Sequence, residues 1–163
     1  PGVAYLRIGR GGEPVFHDIE KIRGYQTGKA IPYCEGTDAY ILTAGGILSS
    51  AVAAQKLLAE RGWSVGVASF PTIKPIDAEY LAALCARVPV LFTLEEHTIV
   101  GGFGGAVCEV VAGLPQNRSR VVRIGMNDRY SSIVGDQAYL EAYYGLDGPG
   151  VADRAQAVLE GKA

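Results

Sequence analysis

The residues best suited to chemistry gather behind one predicted strand. Glu95, Glu96 and His97 directly follow an apolar run at residues 88–94, and open α/β sheets place ligands at the carboxyl ends of parallel strands. Two carboxylates beside an imidazole could exchange protons with a substrate. Because no nucleophile lies at a recognisable spacing from them, we prefer a second interpretation, contact with another domain or subunit.

A glycine-rich turn comes next. Gly101, Gly102, Gly104 and Gly105 surround Phe103 and lead into a predicted apolar helix. Backbone N–H groups at a helix start can hold a phosphate. However, the spacing is neither Gly-x-Gly-x-x-Gly nor a Walker loop, and no Lys-Ser/Thr follows. The preferred alternative is that small residues let this helix pack closely on the sheet or on a partner.

Two arginines near the start of the chain are candidates for phosphate binding. Arg7 and Arg10 lie at the end of a strand-like apolar run and are followed by Gly11 and Gly12. A guanidinium group in that position could present its donors to a phosphate. The alternative is that both arginines are solvated on the surface.

Cysteine and histidine usage argues against a metal centre. Cys34, Cys85 and Cys108 form no Cys-x-x-Cys pair, and an odd, widely spaced set fits a reduced cytoplasmic setting with cysteines as small core residues. His17 and His97 are the only histidines. We therefore predict no metal site and name no catalytic residue.

The composition indicates one globular domain. The chain has 163 residues, of which 48% are hydrophobic and 20% charged, values typical of a folded domain. A net charge of −2 and a pI of about 5.7 do not supply the basic field that nucleic-acid binding requires. The most apolar stretch, residues 39–54, is interrupted by glycine, serine and threonine and is too short to span a bilayer.

The secondary-structure elements that must position these residues are predicted to alternate between strand and helix. Strands are predicted at residues 29–34, 39–44, 64–70, 88–94 and 120–125. Helices are predicted at 48–61, after Asp77, after the glycine-rich turn at 101–105, at 137–144 and at 151–159. The first strand contains Pro32, which is tolerated at a sheet edge, and the short strand–helix connections imply parallel pairing. The predicted fold is a three-layer α/β/α sandwich with a mostly parallel, mixed five-stranded sheet.

The N-terminal region follows a different pattern. Residues 3–8 look like a strand, and the abrupt start suggests a chain that begins inside an existing fold. Residues 9–30 are rich in glycine and charge and predict a linker or long loop, with a short strand near Val15 and Phe16.

Four motifs, in this order, resemble the transketolase family. They are Tyr-Leu-Arg-Ile-Gly-Arg-Gly (5–11), Thr-Ile-Lys-Pro-Ile-Asp (72–77), Glu-Glu-His-Thr-Ile-Val-Gly-Gly-Phe-Gly (95–104) and Arg-Ile-Gly-Met-Asn-Asp (123–128). Together they are specific, although each alone is not. The chain is especially similar to the C-terminal subunit of split transketolases and to the same region of 1-deoxyxylulose-5-phosphate synthase.

The resemblance implies a division of the chain and a reaction. Residues 1–12 would end a pyrimidine-binding domain, 13–27 would form a linker, and 28–163 would be the transketolase C-terminal domain. The family transfers a two-carbon ketol unit between sugar phosphates with thiamine diphosphate and a divalent metal, Mg²⁺. This sequence has no Gly-Asp-Gly motif for the diphosphate and metal, and the catalytic glutamate would lie upstream of Pro1. We therefore expect the chain alone to bind no cofactor and to be inactive.

The resemblance also implies roles for the candidate residues. Arg10 matches the arginine that contacts the substrate phosphate, with Arg7 as the second candidate. The C-terminal domain of the family chiefly organises the dimer, which favours an interface role over anion binding for a larger set: Glu95, Glu96, His97, Gly101, Gly102 and Gly104. The implied partners are an N-terminal, thiamine diphosphate-binding part of the enzyme, a second copy of the chain and a sugar phosphate, in the cytoplasm, with no nucleic acid or membrane.

Other functions stay open. The corresponding part of 1-deoxyxylulose-5-phosphate synthase or of a 2-oxo acid dehydrogenase beta subunit would have the same fold, although residues 74–77 and 95–97 favour transketolase over the pyruvate dehydrogenase beta subunit. A free-standing dimerisation or binding module is the alternative outside enzymes. An upstream or neighbouring reading frame that encodes Gly-Asp-Gly followed by Asn would favour the enzyme.

Overall fold

A computed structural model describes residues 2–9, 12, 14–117, 119–128 and 130–162. The strands are β1 (Ile31–Cys34), β2 (Ala39–Thr43), β3 (Val65–Ser69), β4 (Val90–Thr98) and β5 (Arg120–Met126). The helices are α1 (Ile19–Ile22), α2 (Leu48–Glu60), α3 (Ala78–Arg87), α4 (Phe103–Ala112), α5 (Gln137–Tyr144) and α6 (Gly148–Leu159).

The five strands form one sheet in the order β1-β3-β2-β4-β5. Strands β3, β2, β4 and β5 run parallel to one another. The edge strand β1 pairs with β3 in the antiparallel direction. The residues of β2 and β3 are buried throughout, which explains their continuous apolar runs, because helices cover both faces of a parallel sheet. The mixed, mostly parallel sheet is confirmed.

Two apolar layers hold the helices on the sheet. Ile41 and Phe92 face the layer that includes residues of α2 and α6, whereas Tyr40 and Leu91 face the layer that includes residues of α3 and α4. Alternate residues of a strand point to opposite faces, so β2 and β4 each contribute to both layers. The three-layer architecture is therefore confirmed.

Aspartates begin several of these helices. Asp77 caps α3, Asp136 caps α5 and Asp147 caps α6, each accepting a hydrogen bond from a backbone N–H in the first turn. Such caps satisfy N–H groups that have no partner within the helix. At the other end of α2, Gly62 has a φ of +87°, a backbone conformation that favours glycine. The predicted cap at Asp77 and the end of α2 before Gly62 are confirmed.

The strand predictions for the N-terminal region are wrong. Residues 2–9 are exposed and carry no strand, because no neighbouring strand in the described part of the chain pairs with their backbone. Val15 and Phe16 also form no strand. The linker instead contains one helical turn, α1, whose first residues are capped by Asp18.

The end of β4 lies farther along the chain than predicted. Strand β4 continues to Thr98 instead of ending near Leu94, so Glu95, Glu96 and His97 lie within it. No helix in the described ranges is long and apolar enough to cross a bilayer.

Candidate functional site

The site is built where β4 leaves its regular pairing with β5. The register runs from Val90 opposite Arg120 to Leu94 opposite Ile124, and then shifts before Thr98 pairs with Met126. Irregularities of this kind bend a strand and redirect its side chains. Residues 95–97 occupy the irregular stretch, beside the start of α4.

Glu95 is a buried carboxylate that caps α4. Its side chain accepts a hydrogen bond from the backbone N–H of Phe103 at 2.7 Å and another from Gly104 at 2.9 Å, and the residue is only 3% exposed. Hydrogen bonds to an ionised group are stronger than neutral ones, and a negative charge is favoured at a helix N-terminus. Glu95 therefore joins the end of β4 to the beginning of α4.

The glycines around Glu95 make room for its side chain. A Cβ atom on Gly102 would lie 2.0 Å from Oε2 of Glu95, and one on Gly104 would lie 2.5 Å from Oγ1 of Thr93. On the opposite side, a Cβ on Gly125 would lie 2.9 Å from the carbonyl oxygen of His97. These three positions therefore require glycine, because a side chain there would collide with Glu95, Thr93 or the backbone of β4.

Glu96 and His97 have different surroundings. The half-buried Glu96 accepts a hydrogen bond from Nε2 of Gln137 at 2.5 Å, and Gln137 also donates to Glu141 at 3.1 Å. His97 is exposed, and its Nδ1 lies 3.1 Å from the carbonyl oxygen of Thr98. Glu95 bonds to α4, whereas Glu96 bonds to α5, so the structure does not direct these carboxylates to one substrate position.

The structure changes the interpretation of the glycine-rich turn. The N–H groups of Phe103 and Gly104, which a bound phosphate would need, already donate to Glu95. The group that accepts hydrogen bonds at the start of α4 is thus the carboxylate of Glu95 and not a bound phosphate. The predicted close packing of small residues matches the contacts of Gly102 and Gly104. An interface role for the exposed residues His97 and Gly101 stays a prediction.

A second polar cluster joins the linker to the domain. The Thr72 hydroxyl accepts a hydrogen bond from the backbone N–H of Gly28 at 3.2 Å and lies 2.8 Å from the Tyr25 hydroxyl. Oδ2 of Asp77 accepts from the N–H of Ala30 at 3.0 Å. These contacts join residues that are more than 40 positions apart in the chain. Sequence patterns identified Asp77 as a helix cap but not as an acceptor for the linker.

A third cluster lies at the end of α3. The carboxylate of Glu35 accepts a hydrogen bond from the Tyr40 hydroxyl at 2.6 Å and pairs with Arg87 at 2.5 Å. The Tyr40 hydrogen bond, followed by Arg87, lowers the pKa of Glu35. Burial, followed by the bond to Glu35, raises the pKa of Tyr40. The sequence carried no signal for this group, because its members come from three separate segments.

The remaining candidates lie apart from these clusters. Cys85 is buried and Cys34 is half-buried, and burial is the main cause that raises the pKa of both thiols. A raised pKa disfavours the reactive thiolate, in keeping with packing roles. Arg7 is exposed in the extended N-terminal segment, and Arg10 lies outside the described residues.

Two open depressions lie elsewhere on the surface of the described residues. A depression of about 90 Å³ is lined by Tyr130, Ser132, Tyr143 and Tyr144, and one of about 200 Å³ lies along residues 85–89. Within the described part of the chain, no three His, Cys, Asp or Glu side chains are grouped closely enough to hold a metal ion.

The fold and these clusters define a class: a three-layer α/β domain in which polar side chains near the ends of the strands bond to neighbouring segments of the same chain. The chain belongs to the transketolase C-terminal domain family. The family model "Transketolase, C-terminal domain" matches residues 28–151. This match and the relatives below confirm the resemblance read from the four motifs.

Two curated relatives come from different enzymes. A Methanocaldococcus jannaschii protein, provisionally named a transketolase C-terminal section, is 35% identical over 153 residues, which is 94% of this chain and 47% of the relative. The 1-deoxy-D-xylulose-5-phosphate synthase of Syntrophotalea carbinolica is 38% identical over 135 residues, which is 82% of this chain and 21% of the relative. The chain thus spans about half or less of each relative.

Solved structures share the fold. A chain described as a split-gene transketolase in an inactive tetramer of four beta chains superposes with a TM-score of 0.82 at 31% identity, over 95% of this chain and 49% of that chain. The Pichia stipitis transketolase in complex with sedoheptulose 7-phosphate gives a TM-score of 0.64 at 23% identity, over 89% of this chain and 19% of that chain.

Proposed function

We propose that this chain is the C-terminal section of a thiamine diphosphate-dependent transketolase and works only together with an N-terminal section that carries the cofactor. The observation that supports this most is the likeness to the split-gene transketolase chain, which extends over 95% of this chain. The substrates would be sugar phosphates, and the location would be the cytoplasm. The reaction would be transfer of a two-carbon ketol unit.

The described residues do not fit a thiamine diphosphate and magnesium site. The amide donors at the start of α4 bond to Glu95, and no cluster of three or more His, Cys, Asp or Glu side chains that could hold a metal ion occurs in the described part of the chain. We therefore assign the cofactor and Mg²⁺ to the N-terminal section. The proposed contribution of this chain is to organise a dimer and to supply a phosphate-facing arginine, Arg10 or, as second candidate, Arg7.

The proposed domain boundaries are those that the resemblance to the family implies. Residues 1–12 would complete the pyrimidine-binding domain, 13–27 would link the domains, and 28–163 would form the C-terminal domain. Val3, Tyr5, Leu6 and Ile8 are each at least 78% exposed, which is unusual for large apolar side chains grouped in one segment. Burial of this segment against an N-terminal section would remove that exposure.

The second candidate function is the same region of a 1-deoxyxylulose-5-phosphate synthase. The 38% identity with the S. carbinolica enzyme supports it directly. Both functions require thiamine diphosphate, but the synthase uses pyruvate as donor substrate, whereas transketolase uses a ketose phosphate such as xylulose 5-phosphate.

Reconstitution tests both functions. The purified chain is mixed with the N-terminal section from the same genome and assayed with xylulose 5-phosphate plus ribose 5-phosphate, and separately with pyruvate plus glyceraldehyde 3-phosphate. We expect activity in the first assay only, none without the N-terminal section, and no binding of thiamine diphosphate to the chain alone by calorimetry. Activity with pyruvate only would establish the second function. Cofactor affinity of the isolated chain would contradict both.

A further inference from the structure

The motif at residues 72–77 contributed to the recognition of the family, but the functions above give it no role. In the structure these residues belong to the turn between β3 and α3. Thr72 and Asp77 of this turn hydrogen-bond to Tyr25, Gly28 and Ala30. We call the contact group of Tyr25, Gly28, Ala30, Thr72 and Asp77 the linker clamp.

Thr72 is central to the linker clamp because one hydroxyl bonds both to Tyr25 in the linker and to Gly28, the first residue of the domain. It is within hydrogen-bond distance of both the Tyr25 hydroxyl and the Gly28 N–H. A threonine hydroxyl has one donor and two acceptor positions, so both bonds can exist together. Replacing the hydroxyl would remove the bonds to both Tyr25 and Gly28 with one change.

Two further contacts hold the linker close to the same turn. Asp77 is 8% exposed, and its two oxygens accept from Ala30, shortly after the linker, and from Tyr80 in α3. Gly28 has a φ of +89°, and a Cβ atom there would lie 3.0 Å from Cγ of Pro75. The linker backbone therefore passes the turn closely, in a conformation that favours glycine.

The linker makes a separate contact farther upstream. The ring of Phe16 meets the Tyr33 ring on β1 edge-on, with 6.1 Å between centroids, and Phe16 packs against the apolar layer of α2 and α6. Helix α1 lies between this contact and the linker clamp, and its residues Ile19 and Glu20 are exposed. The clamp is thus the polar attachment at the domain end of the linker.

We infer that Thr72 is a positioning residue that fixes the course of the linker and so the point from which the N-terminal segment extends. The role does not depend on which of the two proposed thiamine diphosphate-dependent reactions the complete enzyme performs. It predicts that loss of the Thr72 hydroxyl weakens backbone hydrogen bonds of the linker in which Thr72 takes no part, while the sheet keeps its stability.

Hydrogen exchange on the full chain tests this inference. The amides of Ile22 and Tyr25 bond within the linker, to the carbonyl oxygens of Asp18 and Ile22, so their exchange reports on the linker as a whole. In Thr72→Val we expect both amides to exchange about fivefold faster, since a hydrogen bond contributes about 1 kcal/mol. The amides of β2 and the unfolding midpoint should stay as in the parent chain.

Two further variants make the result specific. Thr72→Ser keeps the hydroxyl and should exchange like the parent chain. Thr37→Val makes the same chemical change at an exposed threonine outside the linker clamp and should have no effect on Ile22 or Tyr25. If Thr72→Val accelerates only the Gly28 amide, the lost bond is merely local and the inference is wrong. Equal acceleration in Thr37→Val would also overturn it.

Discussion

At the scale of the residue, Glu95 shows why an acidic side chain at a strand end need not act on a substrate. Its two oxygens bond to the first amides of α4 inside the protein. A helix N-terminus attracts negative charge and offers unpaired donors, and Glu95 satisfies both requirements. The same physical chemistry that builds phosphate sites is used here to hold two elements together.

Replacing Glu95 with alanine should lower the free energy of unfolding by about 3 kcal/mol, because two charge-assisted hydrogen bonds disappear and buried donors lose their acceptor. Urea denaturation followed by circular dichroism measures the change. The matched control is Glu96→Ala, which removes an outward-facing carboxylate bonded to Gln137 and should cost less than about 1 kcal/mol. Equal losses in the two variants would contradict the capping role.

Two glycines of α4 provide a test of the space around Glu95. In Gly104→Ala the new methyl group would meet Thr93, Arg123 and Glu95, and such overpacking costs about 1–3 kcal/mol. Gly105 has no atom within 4 Å of the Cβ position, so Gly105→Ala should stabilise the helix by about 0.5–1 kcal/mol. Thermal unfolding of both variants should therefore shift in opposite directions; shifts of the same sign would refute the prediction.

The pKa of Glu35 should rise when its neighbour loses a hydroxyl. The bond from Tyr40 is the largest cause that lowers this pKa, so Tyr40→Phe should move it toward the ordinary value, as measured by NMR titration. Because the pKa of Glu35 is lower in the folded than in the unfolded state, Glu35 stabilises the fold at pH values above its unfolded-state pKa. This stabilisation is lost as the pH falls through the folded-state pKa. In Tyr40→Phe the contribution becomes smaller. Tyr33→Phe, at an exposed tyrosine, serves as the control and should leave the Glu35 titration unchanged.

At the scale of the element, the buried strands and capped helices were predictable because each has a local signal. β2 and β3 are continuous apolar runs, and α3 begins at an aspartate. The environment of Glu95 was not predictable, since it depends on an irregular register between β4 and β5 and on glycines that become neighbours only in the fold. The strand expected at residues 3–8 failed for a related reason: an apolar pattern forms a strand only where a pairing partner exists.

The helices α5 and α6 have similar caps but different surroundings. Asp147 accepts from Gly150 and Asp136 accepts from Tyr139. α6 buries Val151, Ala152 and Ala155 in the core, whereas α5 buries no residue. The same substitution at the two caps should therefore have different consequences for the whole domain.

Asp147→Ala should lower the global free energy of unfolding by about 1 kcal/mol, the usual contribution of a cap, because α6 is part of the core. Asp136→Ala should change the global value by less than about 0.5 kcal/mol and instead accelerate amide exchange within residues 137–144. Urea unfolding and hydrogen exchange on both variants separate these effects. A global loss of the same size in Asp136→Ala would show that α5 is part of the cooperative core.

At the scale of the whole molecule, the chain consists of a compact domain and an exposed apolar segment that precedes it. The domain from residue 28 carries the family match, and its core is closed by helices on both faces of the sheet. The segment at residues 2–9 adds nothing to that core. Under the proposed function, these apolar side chains would bind the N-terminal section and would add little to the stability of this domain.

Removal of residues 1–12 provides the test at this scale. We expect the free energy of unfolding to change by less than about 0.5 kcal/mol, because the large apolar side chains of the segment are exposed and exposed groups contribute little to folding. We also expect binding to the N-terminal section, measured by calorimetry, to weaken by at least about tenfold, since burial of several large apolar side chains is worth more than 1.4 kcal/mol. Thr37→Val, which leaves the segment intact, should bind normally. Unchanged binding by the shortened chain would exclude residues 1–12 from the interface, while a large loss of stability would mean that the segment folds onto its own domain.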